Sequence, residues 1–194
     1  MERISVERIG PDDGNLLREA RLRSLADSPE AFGQTVADAG ARDDADWQQQ
    51  ARQSSSGERR AWFLATAATG PGHSDGLGAG HAGDGATASR RSRRPLGLVQ
   101  GRRRLPADLL IFSMWVDPEV RRLGVGRRLI EDVESWAREW GATRSVLWVF
   151  AANEPAIRFY RKLGFDLELD GDDAASGRTY GALAMSRAIR PGSS

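Results

Sequence analysis

"VDPEVRRLGVGRRLI", residues 116–130, is where one hydrophobic period gives way to another. Before it, "ADLLIFSMWV" (107–116) is an apolar and aromatic run of strand length. After it, Val125, Leu129, Val133, Trp136, Ala137 and Trp140 recur at helical spacing as one stripe, and Gly141 ends the helix. Glu134 and Arg138, four residues apart, are expected on its polar side. "SVLWVF" (145–150) follows, short and nearly all apolar, as a buried central strand should be. Strand, helix and strand in that order imply a parallel pair inside a mixed sheet, hence an α/β or α+β fold.

Outward from this unit, "AWFLATAA" (61–68) and "PLGLVQGRR" (95–103) predict an antiparallel meander leading into strand 107–116. Between them, residues 70–94 are mostly Gly, Ala, Ser and Arg with a single leucine, too little to bury against the entropy of ordering, so a flexible inserted loop is expected. Both histidines, His73 and His81, lie in it, which leaves the rest of the chain without a histidine for a triad or a metal. Gly78, Gly80 and Gly83 match G-x-G-x-x-G, but no strand and helix flank them, so they read as linker. "DDGNLLREARLRSLADSPEAF" (12–32) predicts a helix toward Leu25 that breaks near Pro29. Downstream, Asn153 offers an N-cap before Glu154 and Pro155, and the helix through "AIRFYRKLG" stops at Gly164. "FDLEL" (165–169) and "TYGALAM" (179–185) are expected as closing strands.

At 194 residues the chain suits a single domain, taken as 1–190. Its formal net charge of +1 draws it toward neither nucleic acid nor an anionic membrane. With no cysteine, disulfides, thiolate zinc sites and a thiol nucleophile are excluded. No stretch reaches the roughly 18 apolar residues of a membrane span, and "MERISVERIG" lacks a signal-peptide core, so a cytoplasmic location is expected. The arginine clusters at 90–94 and 102–104 carry a rival reading, a polyanion-binding module, although no RNA-binding motif accompanies them.

The turn itself suggests a ligand. Free N–H groups at a helix start, glycines that let a phosphate approach the backbone, and Arg121, Arg122, Arg127 and Arg128 make an anion site. No G-K-[ST] follows, so the P-loop lysine and magnesium ligand are missing. The next strand ends "VFAAN", without the carboxylate that reads a nicotinamide cofactor's ribose. A diphosphate held chiefly by backbone, without a metal, remains.

At this point the chain resembles the GCN5-related N-acetyltransferases. Arg121, Gly124 and Gly126 match that family's R/Q-x-x-G-x-G/A motif, and "NEPAIRFYRKLGF" (153–165) is similar to its later segment at the family's spacing. The resemblance implies a mixed, mostly antiparallel central sheet flanked by helices, with a parallel strand pair splayed at the cofactor site. It implies acetyl-CoA as acyl donor and no metal, with the pyrophosphate on the backbone of Arg122, Leu123, Gly124, Val125, Gly126 and Arg127. The pantetheine arm would lie along Met114, Trp115 and Val116 and touch Asn153. Tyr160 would sit near the thioester sulfur as general acid, a phenol of ordinary pKa about 10 beside a departing thiolate. Arg23, Glu30 and Phe32 would line the acceptor site. Trp148 stands where relatives that acetylate ribosomal protein N-termini often carry a glutamate, so no general base is assigned. The expected acceptor is a primary amine of a small molecule, with a protein N-terminus or lysine as the alternative and an acyl-CoA-binding protein without catalysis as a further one. A homodimer is compatible with all of these.

Overall fold

The computed structural model describes residues 4–68, 93–179 and 181–190. Strands β1 (Ile4–Arg8), β2 (Arg60–Ala68), β3 (Arg93–Arg104), β4 (Asp108–Val116), β5 (Arg144–Phe150), β6 (Asp166–Leu167) and β7 (Ala182–Ala188) form one sheet in the order β1-β2-β3-β4-β5-β7-β6. Every neighbouring pair is antiparallel except β4 and β5. The helices are α1 (Gly14–Asp27), α2 (Val36–Gly40), α3 (Asp44–Ser55), α4 (Val125–Glu139), α5 (Glu154–Lys162) and α6 (Gly171–Thr179). The mixed, mostly antiparallel sheet flanked by helices is the fold expected from the sequence. The inserted segment, with both histidines and the three-glycine pattern, lies outside the described residues apart from Arg93 and Arg94, which already belong to β3.

The sheet separates two apolar clusters. Ala61, Phe63 and Ala65 of β2 face α4 with Leu129, Val133 and Trp136, while Trp62 and Leu64 face α1 and α3 with Leu17, Leu25 and Trp47. Fully burying one such leucine contributes roughly 2 kcal/mol. The close seat of α4 depends on two glycines of β3. A Cβ on Gly97 would lie 3.0 Å from Leu129, and one on Gly101 would lie 2.6 Å from Val133 and 2.9 Å from Trp136. The helix therefore lies in a trough that side chains would fill.

Four elements were not visible in the sequence, among them the five-residue α2. β1 is short, α3 exposes most of its polar length, and α6 fills the stretch between the two expected closing strands, taking Thr179 from the second, while β7 begins at Ala182. Of "FDLEL", Asp166 and Leu167 alone pair, with Ser186 and Met185. Glu134 also departs from expectation. It is 5% exposed, accepting from Ser145 Oγ at 2.6 Å and from Arg187 Nε and Nη2 at 2.8 and 2.7 Å. Its neighbours Val133 and Ala137 belong to the buried stripe, and a complete set of donors makes the buried carboxylate tolerable.

The described arginines of the two basic clusters are turned to contacts within the chain. Arg93 meets Asp13 at 2.6 Å and Arg94 meets Glu119 at 2.8 Å. The Arg102 and Arg103 guanidinium groups lie over Phe112 and Trp140, and Arg104 bonds both Asp108 and Asp173.

Candidate active site

β4 and β5 pair from Asp108 and Arg144 as far as Ile111 and Leu147. β4 then continues to Val116 and β5 to Phe150 without pairing to each other. The cause lies on the other edge of β4, where Leu98 pairs with Trp115 but Gln100 with Phe112, so β4 carries one extra residue. Ser113 absorbs it with φ 52°. Side-chain parity reverses across the bulge: Leu109 and Ile111 face the α4 cluster before it, whereas Met114 and Val116 face that cluster after it and Trp115 faces α1. A cleft of about 310 Å³ opens between the parted strands, with Phe112, Ser113, Met114, Trp148, Val149 and Phe150 along its length.

One end of the parted strands leads into the turn before α4. Arg121 staples this turn in place, donating from Nε to the Val116 carbonyl at 2.9 Å and from Nη2 to Asp27. Gly124 caps the helix at φ 85°, a left-handed conformation that costs other residues about 1–2 kcal/mol, and nothing lies within 4 Å of where its Cβ would be. Arg128 is the first N–H to find an intrahelical carbonyl, that of Gly124 at 3.1 Å, which leaves the N–H groups of Val125, Gly126 and Arg127 at the open helix end. No acidic residue occupies the first turn to neutralise it. Arg122, Leu123 and Arg127 are exposed around this end. Gly126 has a different reason to be glycine: a Cβ there would sit 3.0 Å from Phe159 and 3.2 Å from Met114.

The far side of the cleft is carried by α5. Asn153 caps it by accepting from the Ala156 N–H at 3.2 Å through its side-chain oxygen, and no described residue bonds its amide nitrogen on the cleft wall. Tyr160, about two turns further along, is 7% exposed and packs against Phe159 and Phe165 at centroid distances of 5.2 and 5.7 Å. Burial pushes its phenol above the ordinary range and keeps it protonated. No described residue hydrogen-bonds the hydroxyl, and Tyr160 lines the cleft. Trp148 stacks on Phe112 at 6.0 Å and donates its indole N–H to the Asp173 carbonyl at 3.0 Å, so the position is fixed as an aromatic wall.

The third wall comes from α1 and the segment after it. Phe32 lies there, together with Gln34 and Arg21. Arg23 and Glu30 do not line the cleft. Arg23 points to the other side of α1, bonding the Pro95 carbonyl at 2.7 Å and Asp117, and Glu30 is exposed. Trp115 is also placed elsewhere, buried beside α1 with its N–H on Asp27 at 2.9 Å. Arg21, Gln34 and Phe112 are among the wall residues that the sequence did not single out. For Arg21 a signal existed, because Leu17, Arg21 and Leu25 recur every four residues and put an arginine in apolar register. Among the described residues no Asp, Glu or His lines the cleft, and no three metal-ligating side chains cluster anywhere.

Residues 45–165 match the family model described as Acetyltransferase (GNAT) family. The chain is 39% identical over 56 residues to an uncharacterized N-acetyltransferase of Methanocaldococcus jannaschii, 29% of this chain and 25% of that one. It is 31% identical over 97 residues to the peptidyl-lysine N-acetyltransferase YjaB of Escherichia coli K12, 47% of this chain and 63% of that one. The alignments thus span less than two thirds of either relative. The fold is similar to the crystal structure of a GNAT-family acetyltransferase from Staphylococcus aureus, with TM-score 0.66 and 16% identity over 97% of this chain and 100% of that one.

Proposed function

The chain belongs to the acetyltransferase (GNAT) family, and we propose from that premise that it moves an acetyl group from acetyl-CoA to a primary amine of a small molecule. The observation that carries this reading is the unneutralised start of α4, with its left-handed Gly124 and free N–H groups, at the mouth of two parted strands. A CoA thioester fits these residues: a diphosphate suits the helix end and its exposed Arg122 and Arg127, and a slender amide-bearing arm suits unpaired strand backbone.

In the transfer, the amine nitrogen bonds the acyl carbon as the carbon–sulfur bond breaks and the electron pair stays on sulfur. Tyr160, held protonated by burial, lines the cleft and can donate a hydrogen bond to that sulfur. The proton lost by the amine goes to water, since no described carboxylate or imidazole lines the cleft.

A lysine side chain of a protein is the second reading, favoured by the name of the E. coli relative. The enclosing aromatic wall of Phe32, Phe112 and Trp148 favours the smaller acceptor. Calorimetric titration of acetyl-CoA, with NAD and ATP as controls, tests the premise. Selective acetyl-CoA binding is expected, and equal or absent binding by folded protein overturns the reading.

A further inference from the structure

Arg21 is 8% exposed on α1, between Leu17 and Leu25, which are fully buried. Its guanidinium reaches only neutral partners among the described residues: Gln34 Oε1, which accepts from Nε at 3.3 Å and Nη2 at 3.2 Å, and the Phe32 ring at 4.7 Å. Nη1 is buried with no hydrogen-bond partner among the described residues. Arg93, Arg104, Arg144 and Arg187, all more exposed than Arg21, each meet a carboxylate within 3.1 Å. Burial lowers the pKa of Arg21 to about 10, with no acidic neighbour offsetting the effect, so it remains charged at neutral pH. A buried charge without a counterion is costly, and a guanidinium is shaped to take a carboxylate by two parallel hydrogen bonds.

We infer that Arg21 is the acceptor anchor of this cleft, and that the amine acetylated here carries a carboxylate: a free amino acid with an apolar body. The inference rests on the transferase reading above. The carboxylate would take the Gln34 amide's place on Arg21, the apolar body would lie on Phe32, Phe112 and Trp148, and the amine would point toward Tyr160. The cleft itself offers no acidic side chain to compete for the arginine.

The test is CoA-thiol release from acetyl-CoA with matched amines, L-phenylalanine against phenethylamine and L-lysine against cadaverine, beside calorimetry of acetyl-CoA alone. The wild-type chain should prefer the carboxylate member of at least one pair by ~10-fold or more in kcat/KM. Arg21→Met should collapse that ratio toward one through KM, with acetyl-CoA affinity retained as proof of folding, and Arg21→Lys should restore part of it. A wild-type ratio near one, a ratio that survives in Arg21→Met, or no thiol release from any carboxylate-bearing amine while acetyl-CoA binds would each overturn the inference. Failure of acetyl-CoA to bind removes the transferase premise instead, and the inference with it.

Discussion

The turn before α4 and the wall formed by α1 face the same cleft but are made of different material. The first presents backbone: three N–H groups at an open helix end, released by the left-handed Gly124 and stapled by Arg121. The second presents side chains, Arg21, Phe32 and Gln34, held by the packing of one helix face. A backbone site needs few residue types at fixed spacing, because the groups that bind are present in every residue. A side-chain site needs only the right atoms at the right place, and many sequences deliver that. The contrast predicts that the first region tolerates little and says much about the donor, whereas the second can change its acceptor without changing the fold.

The largest expected effect breaks the backbone half. Gly124→Glu puts a carboxylate at the helix end and should weaken acetyl-CoA binding by roughly 100-fold or more in calorimetry. Gly124→Asn sharpens the test, because asparagine accepts the left-handed conformation, with ~1 kcal/mol or less lost in melting and most of the affinity kept. If the two variants bind alike, the open helix end is not the diphosphate seat.

Next comes a side chain of the α5 wall, which faces both regions across the cleft. Tyr160→Phe should lower kcat by about 10- to 100-fold with acetyl-CoA affinity unchanged. The pH profile adds a sign. Because burial favours the neutral phenol, wild-type turnover should not fall as pH passes through the ordinary tyrosine range, and the tyrosine-dependent advantage should persist there. An advantage that disappears near pH 9 would show a phenol that ionises readily and would refute the burial effect.

The smallest effect separates two glycines that the motif treats as one. Gly126→Ala places a methyl against Phe159 and Met114, so it should cost about 1–2 kcal/mol in thermal unfolding with only a few-fold change in affinity. A loss of affinity as large as that of Gly124→Glu, without loss of stability, would move Gly126 from packing to ligand contact.

What could be read from the sequence follows the same division. The β4–α4–β5 unit was legible because its strands are apolar runs and its helix carries a full apolar stripe, and Gly141 and Gly164 end helices α4 and α5 at φ 82° and 84°. α3 was not legible, since only Trp47, Ala51 and Ser54 of its length are buried. Glu134 was misread because a buried carboxylate and a solvated one look alike until Arg187, distant in sequence, is brought to it. Arg23 was the arginine expected at the acceptor site, but Arg21 lies on the opposite side of α1, and helical phase rather than charge decides which one meets the cleft.

The extra residue at Ser113 has a consequence for how such a chain can change over generations. Point substitutions along the cleft exchange one side chain at a time, and each result is a neighbour of the last. Removing a single residue from β4 is another kind of event: Met114 and Trp115 would trade sides, and two interiors would be spoiled together. Selection can therefore retune the acceptor in small steps while the length of this one strand stays fixed.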